Sequence, residues 1–189
     1  RTLQRDLHSG TYGGVAPNAI ETLIRMLTKL KGAGGKIRVP KLYKSIEKPS
    51  RAERKGWASL PFDEKAFLEH EVTAKALTGL KEFTVFERTW ALPTFEIHGI
   101  KGGFTGEGAK TVIPARAVAK ISMRLVPDQR PDEASEQLAR AIAAVGRCRA
   151  ASAHLGTDLR RALHVSDRPP GVRRAPNHVD RGLTAASPF

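Results

Sequence analysis

A chain of 189 residues with 40% hydrophobic residues is long enough for one domain with a real core and a tail. No stretch approaches the roughly 18 consecutive apolar residues of a membrane span, and the N-terminus lacks the apolar core of a secretory signal. The net charge of +13 comes from basic residues interleaved with acidic ones, which is typical of a solvated surface rather than of a nucleic-acid footprint.

The single cysteine, Cys148, excludes an internal disulfide and a cysteine-based zinc site. We therefore expect a reducing, cytoplasmic setting. The chain starts without methionine, in what the pattern indicates is the middle of a strand. This start indicates a fragment.

Residues 2–9 alternate between apolar and polar side chains and predict a half-buried strand with His8 on its polar face. The glycines of residues 10–14 end this strand in a turn. A helix is expected to begin near Pro17, since proline suits the first helical position, and to end at the glycines of residues 32–35. Its apolar side chains recur at helical spacing and form one stripe: Ile20, Leu23, Ile24, Leu27 and Leu30.

Residues 36–92 carry weaker patterns. The charged cluster of residues 48–55 predicts a surface loop, whereas residues 63–78 predict a helix with acidic residues in its first turn and a glycine after its end. The aromatic residues of this segment, including Trp57 and Trp90, are expected to pack it onto the rest of the chain.

Two strands and a helix complete the pattern. Residues 95–100 alternate again, and residues 117–125 predict a long amphipathic strand with Arg124 on its polar face. A second helix is expected from Pro131. Its apolar stripe consists of Leu138, Ala141, Ile142 and Val145.

The order of these elements predicts an α+β fold of the ferredoxin-like (split βαβ) type. An antiparallel sheet would carry two helices on one face, with a helical or loop insertion at about residues 40–92. Its other face would be free for a partner or a ligand.

We divide the chain into a domain of residues 1–146 and an Arg/Ala/Pro-rich tail of residues 147–189. The fourth strand of the fold is not visible in the tail, although residues 158–165 could form a short turn of helix. The composition favours a poorly ordered basic tail. A reading frame lost near Gly146 is the alternative interpretation.

Several familiar chemical motifs are absent. Residues 103–111 nearly match a phosphate-binding loop, but Lys110 does not directly follow the second glycine and the next residues are extended. The six histidines lack the spacing of metal ligands, so we expect no metal site with several ligands within this chain. No Ser/His/Asp or Cys/His constellation is recognisable either.

One set of motifs covers about two-thirds of the chain. They are Asp6-Leu7-His8-Ser9-Gly10 with Gly13-Gly14, Pro17-Asn18, Gly99-Ile100 with Gly102, Gly106 and Gly108 with Lys110-Thr111-Val112-Ile113-Pro114, and Arg124-Leu125-Val126-Pro127. The set resembles the lid and dimerisation domain of carnosinase-like di-zinc dipeptidases. That metallopeptidase family also holds acetylornithine deacetylase and succinyl-diaminopimelate desuccinylase.

The resemblance implies a hydrolase in which metal-activated water cleaves a peptide or amide bond. A catalytic domain outside this chain would hold two divalent metal ions, zinc or manganese, and two lids would pair into a homodimer. His8 would stabilise the oxyanion in the active site of the partner subunit. Thr111 and Arg124 would bind the substrate, Arg124 through the terminal carboxylate. The chain alone would hold no cofactor and would be inactive.

Two other interpretations remain open. The chain could be a non-catalytic basic module that dimerises or binds anionic partners, or a non-functional gene remnant. For the dipeptidase domain we expect no nucleic-acid partner and no membrane partner.

Overall fold

The computed structural model of the protein describes residues 1–44, 46–147 and 163–165. Its strands are β1 (Leu7–His8), β2 (Thr94–Gly102), β3 (Val112–Ile113), β4 (Ala117–Leu125) and β5 (Leu163–Val165). In the larger sheet β4 lies between β2, which is antiparallel to it, and β5, which is parallel to it. In the smaller sheet β1 pairs antiparallel with β3. Together with the helices, these sheets confirm the predicted α+β class.

The helices are α1 (Ser9–Tyr12), α2 (Ala19–Leu30), α3 (Arg51–Ala58), α4 (Glu64–Ala66) and α5 (Pro131–Arg147), with π-helical segments at Phe67–Val72 and Glu87–Ala91. Helix α2 begins two residues after Pro17 because Asn18 caps it: Asn18 Oδ1 accepts hydrogen bonds from the backbone N–H groups of Ile20 (2.9 Å) and Glu21 (3.4 Å). Within the described residues, none of the helices is long and apolar enough to cross a membrane.

Helices α2 and α5 pack on one face of the larger sheet. Leu30 of α2 and Leu138 of α5 are buried in one core with Phe95 and Met123 of the strands. This arrangement confirms the two predicted helices and the two long strands. The predicted stripe of α2 also holds, except that its Ile24 is 47% exposed.

Side chains alternate along β4, so the same strand serves two faces. Met123 and Leu125 enter the core, whereas Lys120 and Arg124 are exposed on the opposite face. That outer face carries the polar residues of the sheet. It corresponds to the free face that the fold class predicts.

The predicted strand over residues 2–9 is wrong in extent, because only Leu7–His8 forms a strand. Upstream of β1, single hydrogen bonds replace a ladder: the Ala115 N–H donates to Asp6 Oδ1 (2.8 Å), and the Thr2 N–H donates to the Ala115 carbonyl (3.0 Å). The glycine turn that follows contains the single helical turn α1.

Two predictions for the insertion are also wrong. The expected loop over residues 48–55 contains the start of α3, since Ser50 and Glu53 form a reciprocal capping box with hydrogen bonds of 3.2 and 2.8 Å. The helix expected over residues 63–78 ends at Val72, because Thr73 adopts a left-handed conformation with φ of 52°.

The aromatic residues of the insertion contact one another. The rings of Phe86 and Trp90 stack with centroids 4.4 Å apart, and Trp57 meets Trp90 edge-on at 5.7 Å. Glu87, which follows Phe86 in the chain, is buried and pairs with Arg54 of α3 at 3.2 Å. These contacts hold α3 against the second π-helical segment.

The C-terminal tail contributes one described element. Leu163–Val165 is a strand, not the turn of helix considered for residues 158–165, and it pairs with Met123 to Leu125 of β4. Backbone hydrogen bonding to an available strand edge outweighs the weak local pattern. The predictions of disorder or a lost reading frame fall largely on residues 148–162 and 166–189, which lie outside the described residues, as does Cys148.

Candidate functional site

His8 occupies the junction between β1 and α1. Its Nδ1 accepts a hydrogen bond from the Gly10 N–H (3.0 Å), which caps the helical turn. Its Nε2 lies 2.9 Å from Thr111 Oγ1. Both ring nitrogens are therefore engaged although the residue is exposed.

These two contacts decide which neutral tautomer His8 adopts. An Nδ1 that accepts a hydrogen bond carries no proton, so the proton of the neutral ring is on Nε2. Thr111 Oγ1 is then the acceptor of the Nε2–H. The structure thus presents an imidazole N–H donor at the protein surface.

Thr111 is held beside His8 by the smaller sheet. The Ser9 N–H donates to the Thr111 carbonyl (3.1 Å), and His8 faces Val112 in the register of β1 and β3. The sheet therefore brings together two of the three residues that the sequence identifies as site residues.

Glycine is required next to His8. A Cβ at Gly10 would lie 2.8 Å from His8 Cε1, and a Cβ at Gly13 would lie 2.5 Å from the Ser9 carbonyl oxygen. The glycines of the motif Asp6 to Gly14 thus leave the space that the His8 ring and the backbone turn occupy.

Arg124 lies in the other sheet. It is exposed on the outer face of β4, opposite Thr94 of β2, while its neighbours Met123 and Leu125 anchor the strand in the core. A guanidinium in this position can bind a carboxylate through two parallel hydrogen bonds.

The loop that leads to Thr111 does not have the geometry of a phosphate-binding loop. Gly108 has φ of +79°, and the chain then enters β3 rather than a helix N-terminus. Lys110 places its Nζ 5.5 Å from the centroid of the Phe104 ring, a cation–π contact.

The structure also shows a contact that sequence reasoning missed: His98 Nε2 and Ser122 Oγ form a short hydrogen bond across β2 and β4. The signal available in the sequence was Gly99, because a glycine within a strand often marks a bulge that redirects a side chain.

Two clefts are present in the described part of the chain. One of about 370 Å³ is lined by Lys31, Tyr43 and Arg88 among others, and one of about 530 Å³ by aromatic residues of the insertion. Neither lining includes His8, Thr111 or Arg124. Burial raises the pKa of Tyr43 in the first cleft, and the hydrogen bond from the Ile37 N–H partly opposes this shift.

The described residues do not fit a metal site. Across residues 1–44, 46–147 and 163–165, no three His, Cys, Asp or Glu side chains cluster closely enough to hold an ion. No metal-dependent step is assigned to them.

Comparison with known proteins identifies the family. A model described as the peptidase dimerisation domain matches residues 2–149. The chain belongs to this family. Membership favours the peptidase dimerisation domain over the basic interaction module and the gene remnant.

Individual relatives of this dimerisation domain are dipeptidases. The chain is 31% identical over 160 residues to the Beta-Ala-His dipeptidase of Homo sapiens, covering 85% of this chain and 31% of that protein. It is 35% identical over 123 residues to a Cys-Gly metallodipeptidase of Candida albicans, covering 65% of this chain and 25% of that protein. The chain therefore spans about a quarter to a third of these relatives.

Solved structures agree with this assignment. The crystal structure of human carnosine dipeptidase 1 matches with a TM-score of 0.69 and 32% identity, over 80% of this chain and 32% of that chain. A di-peptidase from Saccharomyces cerevisiae matches with a TM-score of 0.67 and 28% identity, over 76% of this chain and 30% of that chain. The fold is thus that of one part of each of these two larger structures.

Proposed function

We propose that this chain is the substrate-covering lid and dimerisation domain of a metal-dependent dipeptidase or amidohydrolase. The observation that carries the proposal is the Nε2–H donor of His8, held by Gly10 and Thr111 on the surface of a peptidase dimerisation domain. Its relatives are dipeptidases, which supports a dipeptide or related amide as the substrate.

In this proposal His8 acts on the active site of the partner subunit in a homodimer. During hydrolysis of an amide, negative charge develops on the carbonyl oxygen, and an oriented N–H donor stabilises it. Removal of one such donor costs about 3 to 4 kcal/mol of transition-state stabilisation in a well-studied protease. Without substrate, Thr111 accepts the hydrogen bond from His8 Nε2–H and so orients the ring. When the oxyanion accepts this hydrogen bond instead, Thr111 can contact the substrate.

Arg124 binds the terminal carboxylate of the substrate. Its exposed guanidinium offers the two parallel donors that a carboxylate accepts. Since this contact exists before and during the reaction, it contributes to substrate binding more than to turnover.

The remaining assignments concern the rest of the enzyme. Two divalent metal ions, zinc or manganese, would be held by another domain and would supply a metal-activated water. We propose a cytoplasmic location on the basis of cysteine content. The 189-residue chain by itself is expected to be inactive.

The test compares this chain with a longer product in which the chain is joined to a metal domain. The chain with added zinc or manganese should show no turnover of a dipeptide panel above its His8→Ala variant. In the longer product, His8→Ala should lower kcat by roughly a hundredfold or more, whereas Arg124→Ala should chiefly raise KM. Turnover by the short chain, or unchanged kinetics in both variants, would refute the proposal.

A further inference from the structure

His98 lies on the same outer face of the larger sheet as Arg124. Its Nε2 contacts Ser122 Oγ, and Ser122 precedes Arg124 by two positions on β4. Side chains two positions apart on a strand point to the same face and are separated by about 6.6 Å along it. An imidazole, a hydroxyl and a guanidinium therefore share one face of the sheet.

A bulge in β2 creates this arrangement. Ile97 pairs with Ile121, but Gly99 pairs with Lys120, so His98 is an extra residue in the strand. An extra residue interrupts the ladder and redirects its side chain. Without it, the ring of His98 would not have its present position over Ser122.

One nitrogen of His98 remains available to a ligand. Nε2 is engaged by Ser122, whereas among the described residues Nδ1 has no hydrogen-bond partner. When the Ser122 hydroxyl donates to Nε2, the neutral ring carries its proton on Nδ1. The exposed ring then presents an N–H donor on the face of the sheet that also carries Arg124.

The charges on this face favour an anion. Lys120 and Arg124 are exposed on β4, and the nearby carboxylate of Glu96 is 3.3 Å from Lys31 Nζ and so is already paired. A ligand carboxylate would meet cationic and neutral donors on this face.

We propose that His98 is a substrate-contacting residue: its Nδ1–H donates to the terminal carboxylate that Arg124 binds, and Ser122 orients its ring. The inference deepens the proposed function and rests on it. It assigns recognition of the substrate's carboxyl end to two side chains from neighbouring strands.

The test uses the 189-residue chain and two probes, alanylalanine and its C-terminal amide. Binding is followed by NMR of the imidazole nitrogens and of backbone amides. His98→Asn keeps an N–H donor near the position of Nδ1, whereas His98→Gln keeps one near Nε2 and can still contact Ser122. His70→Ala, at an exposed histidine of the first π-helical segment, is the matched control.

The proposal expects the dipeptide, but not its amide, to shift the Nδ1 resonance of His98. His98→Gln should weaken binding roughly tenfold or more, the effect of losing a hydrogen bond to a charged group. His98→Asn should retain most of the affinity, and His70→Ala should bind as the unmodified chain does.

Three results would overturn the inference. The first is equal binding of the dipeptide and its C-terminal amide. The second is weaker binding by His98→Asn with unchanged binding by His98→Gln, because the affinity would then depend on the contact with Ser122. The third is that the chain does not bind the dipeptide. If Arg124→Ala abolishes binding while both His98 variants bind normally, the inference fails and the proposed role of Arg124 stands. The proposed function is judged separately by the kinetics of the longer product.

Discussion

His8 and Thr111 are 103 positions apart in the sequence, yet His8 Nε2 lies 2.9 Å from Thr111 Oγ1. The pairing of two very short strands brings them together. Since Nδ1 is occupied by the Gly10 N–H, the imidazole has a single orientation and a single neutral tautomer. The smaller sheet thus positions one N–H donor at the surface.

Substitution of Gly10 tests this positioning. In Gly10→Ala the added Cβ would lie 2.8 Å from His8 Cε1, so the ring must rotate and lose its contact with Thr111. Nitrogen NMR of the neutral imidazole should report the Nε2–H tautomer in the unmodified chain and a mixture in the variant. Gly34→Ala, where a Cβ meets nothing within 4 Å, is the control. An unchanged tautomer in Gly10→Ala would contradict the account.

The sequence correctly predicted those elements in which the periodic apolar residues are also the residues buried in the core. In α2, α5, β2 and β4 the hydrophobic side chains that recur at helical or strand spacing are those of the core, led by Leu30, Phe95, Met123 and Leu138. Local pattern and tertiary burial favour the same structure there, so the prediction of an α+β fold succeeds.

The elements that the sequence did not predict depend on contacts between distant residues or on single side chains. β5 forms because β4 offers a parallel partner, and α3 begins in a charged segment because Ser50 and Glu53 cap it. Of the site residues, His8 and Thr111 share a surface through β1 and β3. The bulge at His98 could not be inferred from alternation alone, because a bulge interrupts that pattern.

The glycine-rich turn after α2 provides a stability test. Gly35 has φ of +81°, and a Cβ there would lie 2.7 Å from Gly79 Cα. Gly35→Ala should therefore lower the free energy of unfolding by about 1 to 3 kcal/mol through backbone strain and steric overlap. Urea denaturation measures this, with Gly34→Ala as the neighbouring control. If Gly35→Ala and Gly34→Ala lower the free energy of unfolding equally, the close approach of Gly35 to Gly79 is contradicted.

The buried amide of Gln129 connects the segment just after β4 to the start of the insertion. It donates to the Leu42 carbonyl (2.7 Å) and accepts from the Val126 N–H (3.2 Å). Gln129→Leu leaves both buried groups without this partner and should cost about 1 to 3 kcal/mol for each. Gln4→Leu, at an exposed glutamine, should change the unfolding free energy by less than about 0.5 kcal/mol. A small effect at Gln129 would show that other groups or water replace the amide.

Tyr43 should make stability depend on alkaline pH. Burial raises its pKa in the folded chain above the ordinary value of 10.0, so the unfolded chain releases the phenolic proton first. Its contribution is fully present below pH 10.0 and is lost as the pH rises from there through the raised pKa of the folded chain. Denaturation at a series of alkaline pH values should therefore show a smaller loss of stability in Tyr43→Phe than in the unmodified chain. A parallel pH dependence in both proteins would contradict this assignment.

The most direct test of the central claim mixes two dimers of the longer product and assays them at a dipeptide concentration far below KM, where each variant dimer alone has little activity. One carries His8→Ala and the other Arg124→Ala. If each active site uses Arg124 of its own chain and His8 of the other chain, a mixed dimer contains one intact site and one site that lacks both residues. Subunit exchange should therefore restore dipeptidase activity to about a quarter of the unmodified level, since about half of randomly paired dimers are mixed. Activity that stays at the level of the separate variants after exchange would contradict action across the dimer.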